Sequence, residues 1–261
     1  MRVALCISGQ PRNAEKTIEE IKKCIIEPNN ADVFIHSWFD EKNLEFEKID
    51  LLRAGQNKFV DGLDKWLINK YNPKNHIIEP QINFRHMKIT VPEKMIIHYS
   101  NMNKHALHTK EDVSKHIIQQ NTSMFYSIYK CNQLKEEYAI KHGFTYDCVI
   151  RIRFDLLLNT LIDCKKLDMN KIYYLNLNQP DDLISDWFNL GSNEIMNIYS
   201  NIFCNLEYLN KYKYFTKDRR KTGGIWDEST YLWGSEYLIR DIMQLYNIPT
   251  CKVNASFKLI Y

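Results

Sequence analysis

Three charged side chains stand two residues apart in the apolar run 149–155: Arg151, Arg153 and Asp155. In an extended strand alternate residues point to the same face, so all three are expected on one face. Buried charges are costly unless they are paired or bind a ligand. Two guanidinium groups beside one carboxylate suit a pyrophosphate together with a divalent ion or a sugar hydroxyl. A structural Arg–Asp pair at the end of a sheet is the alternative interpretation.

The segment 148–158 is predicted to be a central strand of an α/β sheet, and the start of the chain supports that class. Residues 3–8 form an apolar run, residues 14–26 carry isoleucines at helical spacing, and Asp32–Trp38 is a second apolar run. The order of strand, helix and strand predicts a parallel βαβ unit. Strand ends of such a unit meet at the edge of the sheet where ligands bind.

The rest of the chain continues this alternation. Residues 81–119 lack a clean period and are predicted to be irregular, whereas residues 121–142 predict a long amphipathic helix that ends at a glycine. Further helices are predicted over 192–209 and 235–246. The segment 185–191 is predicted to be a loop between two such elements.

The turn over residues 9–13 distinguishes between classes of nucleotide-binding proteins. It contains Gly9 alone, so it matches neither the GxGxxG fingerprint of dinucleotide-binding folds nor the P-loop pattern. Asn13 is predicted to cap the following helix. Arg12 lies beside the amino-terminal end of that helix, and the guanidinium and free backbone N–H groups together can hold a phosphate. An arginine in a surface loop is the alternative.

Four blocks of the chain together resemble a known family. They are the first strand and turn (4–12), the second strand (Asp32–Trp38), part of the long helix (123–134), and the run 146–155. In this order they resemble a group of bacterial and viral glycosyltransferases of the GT-A fold. The resemblance spans about residues 1–160 and weakens toward the carboxyl terminus.

The resemblance implies an α/β fold of GT-A-like, Rossmann-like type, with a mostly parallel central sheet flanked by helices. It implies one domain over 1–261, with a nucleotide-sugar-binding half at 1–160 and an acceptor-side half at 161–261. The implied activity is transfer of a hexose or deoxyhexose from a nucleoside-diphosphate sugar, such as a UDP-sugar, to a glycan acceptor. The implied process is synthesis of a surface or capsid polysaccharide.

The sequence departs from this family at its metal-binding motif. GT-A enzymes usually carry Asp-x-Asp at the end of a central strand, whereas this chain has Arg-Phe-Asp at 153–155. By the resemblance, Asp155 holds a divalent ion, Mn²⁺ or Mg²⁺. Arg153 cannot bind a metal, and it can instead replace part of the metal's charge on the diphosphate. The donor site is therefore predicted to consist of Gly9, Arg12, His36, Arg151, Arg153 and Asp155.

An inverting transferase also needs a base that deprotonates the acceptor hydroxyl. Asp186, beside Trp187, is one candidate, and binding of a sugar hydroxyl is its alternative role. Glu236 opens the last helix and is the other candidate, although an acidic residue there also suits the helix dipole. His36 ends the second strand and is predicted to contact the base or ribose, or else to be structural. The basic, glycine-ended segment 217–224 is a candidate for closure over the diphosphate, and a mobile, solvated run of charges is its alternative interpretation.

Composition limits the remaining possibilities. The chain has 261 residues and a formal net charge of +3, which argues against nucleic acid as a partner. Seven cysteines occur without a CxxC pair, and this predicts neither a zinc ribbon nor a disulfide framework but a reducing cytoplasm, that of the host if the protein is viral. No apolar run approaches the 18 residues of a membrane-spanning helix.

Two other functions remain open from the sequence. A nucleotidyltransferase also uses metal-bound carboxylates, but it needs two close ones, and the key strand supplies only Asp155. A degenerate glycan-binding or assembly subunit would explain why the first aspartate of the motif is missing. The two differ from a glycosyltransferase in what they release: pyrophosphate in the first case and nothing in the second.

Overall fold

A computed structural model describes residues 1–40, 62–102, 109–177, 183–212 and 235–260. Its strands are β1 (Val3–Gly9), β2 (Asp32–Trp38), β3 (Asn75–Glu79), β4 (Cys148–Ile152), β5 (Leu156–Leu158), β6 (Ile172–Leu175), β7 (Phe188–Gly191), β8 (Thr250–Val253) and β9 (Phe257–Leu259). Its α-helices are α1 (Ala14–Ile21), α2 (Glu27–Asn29), α3 (Leu63–Tyr71), α4 (Glu93–Met102), α5 (Lys110–Lys141), α6 (Asn193–Ser200), α7 (Ile202–Tyr212) and α8 (Ser235–Leu245). A π-helical turn (Lys22–Ile26) joins α1 to α2, and a 3-10 turn (Cys164–Lys166) precedes β6.

Within the described ranges, seven strands form one sheet in the order β3-β2-β1-β4-β7-β6-β8. The first four of these pair in parallel, β7 is antiparallel to both of its neighbours, and β8 is parallel to β6. The predicted fold class, an α/β protein with a mostly parallel central sheet, is confirmed. The predicted βαβ unit is also confirmed, since β1 and β2 flank α1 and pair in parallel.

Helices cover both faces of the sheet because its strands are apolar on both sides. On one face, Ala4 and Cys6 of β1 belong to the core beneath the long helix α5. On the other face, Leu5 and Ile7 belong to the core that contains Ile18 of α1. A strand buried on both faces reads as a continuous apolar run, which is why the sequence alone identifies β1.

The segment predicted to be irregular contains helices instead. It holds α4, and α5 begins at Lys110 rather than at residue 121. Thr109 caps α5, because its side chain accepts a hydrogen bond from the backbone N–H of Asp112. Val113 and Ile117 then continue the buried stripe of this helix. The prediction was wrong because the polar residues between these two obscured the helical period.

The predicted strand 148–158 is broken in the structure. β4 ends at Ile152, residues 153–155 form a turn, and β5 pairs in antiparallel fashion with β9 in a separate two-stranded sheet. The simple alternation that put three charges on one strand face therefore ends at Ile152. The segment 185–191, predicted to be a loop, contains β7, which pairs with β4.

Candidate functional site

Three turns meet at one edge of the central sheet. β1 and β4 are parallel neighbours, so the turns 9–13 and 153–155 leave the sheet at the same edge. β7 is antiparallel to β4, so residues 185–187, which precede it, also lie there. Gly9 has a φ of 119°, a conformation that residues with a Cβ rarely adopt. Ligands of open α/β sheets bind at this edge, outside the carboxyl ends of the parallel strands.

Arg153 and Asp155 form a bidentate ion pair in the turn 153–155. Arg153 Nε donates to Asp155 Oδ1 at 2.8 Å, and Arg153 Nη2 donates to Asp155 Oδ2 at 2.7 Å. The Asp155 side chain is only 4% exposed, whereas that of Arg153 is 21% exposed. Both carboxylate oxygens thus accept a hydrogen bond from the guanidinium, and Arg153 is the partner whose side chain reaches solvent.

The backbone of this turn is tied to its surroundings. The Ile260 N–H donates to the Asp155 carbonyl at 3.0 Å, and Asn13 Nδ2 donates to the Ile260 carbonyl at 3.0 Å. The Thr17 hydroxyl donates to the Phe154 carbonyl. The first and second turns are therefore joined through the carboxyl-terminal segment. The sequence did not indicate this role of Ile260, because it depends on contacts between residues more than a hundred positions apart.

The predicted capping by Asn13 is wrong. Asn13 does occupy the position before α1, but its side chain makes no capping hydrogen bond and its φ is 48°. Its amide group reaches the Ile260 carbonyl instead. Asparagine tolerates the left-handed region better than most residues, so its presence at this position is a local signal of the turn.

Arg151 lies beneath the edge rather than on it. It is 3% exposed, and its Nε donates to the Ser8 hydroxyl at 3.1 Å. Within the described residues its Nη1 makes no hydrogen bond, and the same is true of the Asn189 Oδ1 and the Tyr199 hydroxyl. Burial raises the pKa of Tyr199, which Arg151 opposes. The structure thus favours an interior role for Arg151 over the predicted contact with the diphosphate.

His36 is also an interior residue. Its ring has no exposed surface, and it contacts Ser127 Oγ at 2.8 Å through Nδ1 and Glu79 Oε1 at 3.1 Å through Nε2. Burial lowers the pKa of His36, and the hydrogen bond to Glu79 opposes this only in part. A fully covered ring cannot touch a nucleotide. The structure therefore favours the structural alternative for His36, in which it joins β2 to α5 and β3.

Trp187 contacts Arg153, and Asp186 precedes Trp187 in the chain. Asp186 is 7% exposed. The Trp187 carbonyl accepts a hydrogen bond from the backbone N–H of Arg153 at 3.3 Å. The centroid of the Trp187 ring lies 6.0 Å from the guanidinium carbon of Arg153. Trp187 was missed as a site residue, although its aromatic ring beside a candidate acid was visible in the sequence. Its place results from the pairing of β7 with β4.

Glu236 stands at the start of α8 and is half-buried. α8 packs against α6 and α7 and precedes the edge strand β8. Its role as a base stays a prediction. The neighbouring acids Asp227 and Glu228 and the segment 217–224 lie outside the described residues, as does any closure over a diphosphate.

The residues at Asp155 do not fit a divalent ion in this arrangement. Such an ion has to come within about 2.1 Å of a carboxylate oxygen, whereas the Asp155 side chain is only 4% exposed and both of its oxygens already accept from Arg153. An ion there would also lie close to the guanidinium, whose positive charge repels it. Within the described ranges, no group of three or more His, Cys, Asp or Glu side chains is arranged to hold a metal.

No protein-family model matches the sequence, and no curated protein matches it. The fold is similar to the crystal structure of core-mannan synthase A from Aspergillus fumigatus, in its Mn/GDP form. The TM-score is 0.52 at 11% sequence identity, over 100% of this chain and 75% of that chain. At this identity the likeness concerns the fold alone, and it supports a fold of the GT-A glycosyltransferase type.

The described helices include none that is long and apolar enough to cross a membrane.

Proposed function

We propose that this protein is a glycosyltransferase that uses a nucleoside-diphosphate sugar as its donor. One observation carries the proposal: the Arg153 side chain, which is 21% exposed, lies at the edge where the β1 and β4 turns meet. The likeness to a mannan synthase bound to Mn and GDP supports it at the level of fold. By the narrower resemblance, the sugar is a hexose or deoxyhexose and the product a surface or capsid polysaccharide made in the cytoplasm.

Glycosyl transfer needs positive charge on the departing diphosphate, because negative charge develops there as the sugar leaves. Arg153 supplies a permanent cation with a planar fork that matches phosphate oxygens. Arg12 lies in the neighbouring turn, and the backbone of Gly9 permits close approach because it carries no side chain. Arg151 and His36 support this edge from beneath, through Ser8 and through Ser127 with Glu79.

The acceptor side contains two candidate bases. Asp186 is proposed as the base or as a ligand of a sugar hydroxyl, since it lies beside Trp187 and the Arg153 turn. Glu236 is the other candidate. An Asp186→Asn variant separates these roles: loss of a base lowers kcat by about 10²- to 10⁴-fold. Loss of a contact to the bound sugar raises KM instead. The same comparison with Glu236→Gln identifies which acid is used.

The first experiment measures thermal stability of the protein with UDP, GDP, CDP and dTDP. A ligand present at a hundred times its Kd stabilises the folded state by about 2.7 kcal/mol. This corresponds to a rise in melting temperature of about 5–10 °C for a chain of this size. A shift with one nucleotide identifies the donor's base, and no shift with any of them contradicts the proposal.

Two arginine variants provide a matched comparison. Arg12 follows the carboxyl end of β1, and Arg2 precedes its amino end at the opposite edge of the sheet. Arg12→Ala is expected to weaken nucleotide binding about 10- to 100-fold, the effect of one charge-assisted hydrogen bond of about 1.5–3 kcal/mol. Arg2→Ala is expected to leave the Kd unchanged. Equal losses in both variants would mean that Arg12 acts through general stability or net charge.

The alternative functions are separate outcomes of these assays. Glycan binding without nucleotide binding or donor hydrolysis would indicate the degenerate assembly subunit. Release of pyrophosphate from a nucleoside triphosphate would indicate a nucleotidyltransferase.

A further inference from the structure

We propose that Arg153, aimed by Asp155, takes the place of a divalent ion on the donor diphosphate, so that donor binding needs no metal. This inference rests on the proposed glycosyltransferase function. Asp155 then acts as a positioning residue that holds the guanidinium, and it is not a metal ligand. The argument depends on the ion pair itself, on the backbone around it and on the charges that it presents.

The geometry of the pair determines which partner faces a ligand. Both Asp155 oxygens accept hydrogen bonds from Arg153, at 2.8 and 2.7 Å. The side chain of Asp155 is 4% exposed and that of Arg153 is 21% exposed. A metal at Asp155 would have to displace the guanidinium from a covered carboxylate. A diphosphate, by contrast, approaches the cation from the solvent side and leaves the pair intact.

The backbone that carries the pair is held in place by three hydrogen bonds. The carbonyl of Asp155 accepts from the Ile260 N–H at 3.0 Å, and the N–H of Arg153 donates to the Trp187 carbonyl at 3.3 Å. Between them, the Phe154 carbonyl accepts from the Thr17 hydroxyl. Each of the three residues of the turn is therefore held from a different element. A turn fixed in this way keeps the two backbones at the distance at which the side chains of Arg153 and Asp155 pair.

The chemistry of a guanidinium suits the task given to it. It stays charged at all pH values at which proteins fold, and its N–H groups lie in one plane that matches two phosphate oxygens. Its carbon lies 6.0 Å from the centre of the Trp187 ring, whose face favours a cation. Because a fixed cation replaces an exchangeable ion, the affinity for the nucleotide becomes independent of metal concentration.

The test is isothermal titration of the unmodified protein with UDP, GDP, CDP and dTDP, each in EDTA and each in Mn²⁺. The expected result is binding of one nucleotide with Kd values that agree within about twofold between the two conditions. A Kd that is tenfold or more tighter in Mn²⁺, about 1.4 kcal/mol, would overturn the proposal and leave the glycosyltransferase function standing. No binding in either condition would contradict the proposed function itself.

Two variants of Arg153 separate charge from geometry. Arg153→Lys keeps the charge and loses the fork, and it is expected to weaken metal-free binding about tenfold or more. Arg153→Asp creates a second carboxylate, and it is expected to abolish binding in EDTA and to allow binding in Mn²⁺ alone. If Arg153→Asp binds the nucleotide in EDTA as the parent does, Arg153 does not bind the diphosphate and the proposal fails.

A variant of Asp155 tests the positioning role. Asp155→Asn is expected to weaken nucleotide binding equally in EDTA and in Mn²⁺, because it loosens Arg153 in both. A metal ligand would behave differently, since its loss would weaken binding in Mn²⁺ only. The ratio of the two Kd values is the decisive readout, because it stays constant if Asp155 only positions Arg153 and changes if Asp155 holds a metal. If Asp155→Asn weakens binding in Mn²⁺ but leaves the Kd in EDTA unchanged, the positioning role is refuted.

Discussion

Replacement of Asp155 by asparagine is the substitution whose effect on stability can be worked out most directly. Breaking a buried ion pair by removing one partner costs about 3–5 kcal/mol when the remaining charge stays buried. Here the remaining charge is on Arg153, whose side chain is 21% exposed and so recovers part of its hydration. Asparagine also keeps one oxygen that can accept from the guanidinium. We therefore expect Asp155→Asn to lower the free energy of unfolding by about 2–3 kcal/mol.

The assay is thermal unfolding followed by tryptophan fluorescence, with urea unfolding as a check. A loss of about 2–3 kcal/mol corresponds to a fall in melting temperature of about 4–12 °C. The matched control is Glu93→Gln, which makes the same chemical change in an ion pair of the same length. Glu93 contacts Lys110 Nζ at 2.7 Å, but their side chains are 70% and 68% exposed. The control is expected to leave the melting temperature unchanged, because exposed pairs contribute little.

Two results would refute this reasoning. If Asp155→Asn unfolds at the temperature of the parent, the pair does not hold the turn, and Asp155 is free to serve another ligand. If the control loses as much stability as Asp155→Asn, burial does not decide the effect. Nucleotide binding by the same samples then shows whether loss of stability and loss of affinity occur together.

Three further predictions concern residues around the site. Burial lowers the pKa of His36 below its ordinary 6.5, so the unfolded chain binds a proton more readily than the folded chain does. The free energy of unfolding should therefore keep its full value above about pH 6.5 and fall as the pH drops below it. Urea unfolding at several pH values should show a weaker dependence of stability on pH in His36→Gln. Tyr199→Phe should leave the free energy of unfolding in urea unchanged or raise it by up to about 1 kcal/mol, because it removes a buried hydroxyl that has no hydrogen bond within the described residues. A clear loss of stability would indicate that the hydroxyl has a buried partner. Asn13 has a φ of 48°, so Asn13→Ala should lower the free energy of unfolding by about 1 kcal/mol more than Asn13→Gly does. Both variants lose the hydrogen bond to the Ile260 carbonyl, but only alanine strains the backbone. Equal melting temperatures of the two variants would contradict this.

The sequence predicted those parts of the fold whose signals are local. Apolar runs identified β1 and β2, and the isoleucines at helical spacing between them identified α1. Turn composition placed Gly9 at the end of β1, and its positive φ agrees with that role. The mostly parallel sheet followed from the order of these elements. Each inference needed only the chemistry of residues near one another in the chain.

The sequence was less informative where polar residues interrupt a buried stripe or where a strand is short. The first eleven residues of α5, 110–120, were predicted to be irregular because their buried positions alternate with charged ones. β7 has only four residues, too few to show a period. A short strand of this kind can be identified only from the strands with which it pairs, and these are distant in sequence.

The sequence determined which residues are available for chemistry, and only the tertiary structure decided where each of them lies. Arg153 and Asp155 were identified from their types and spacing, and β9, a hundred residues later, draws the chain after them into β5 and leaves them in a turn. The antiparallel β7 brings Asp186 and Trp187 beside that turn. Arg151 and His36 are buried because other elements cover them. Burial, hydrogen-bond partners and strand register all depend on long-range packing, and no local pattern encodes them.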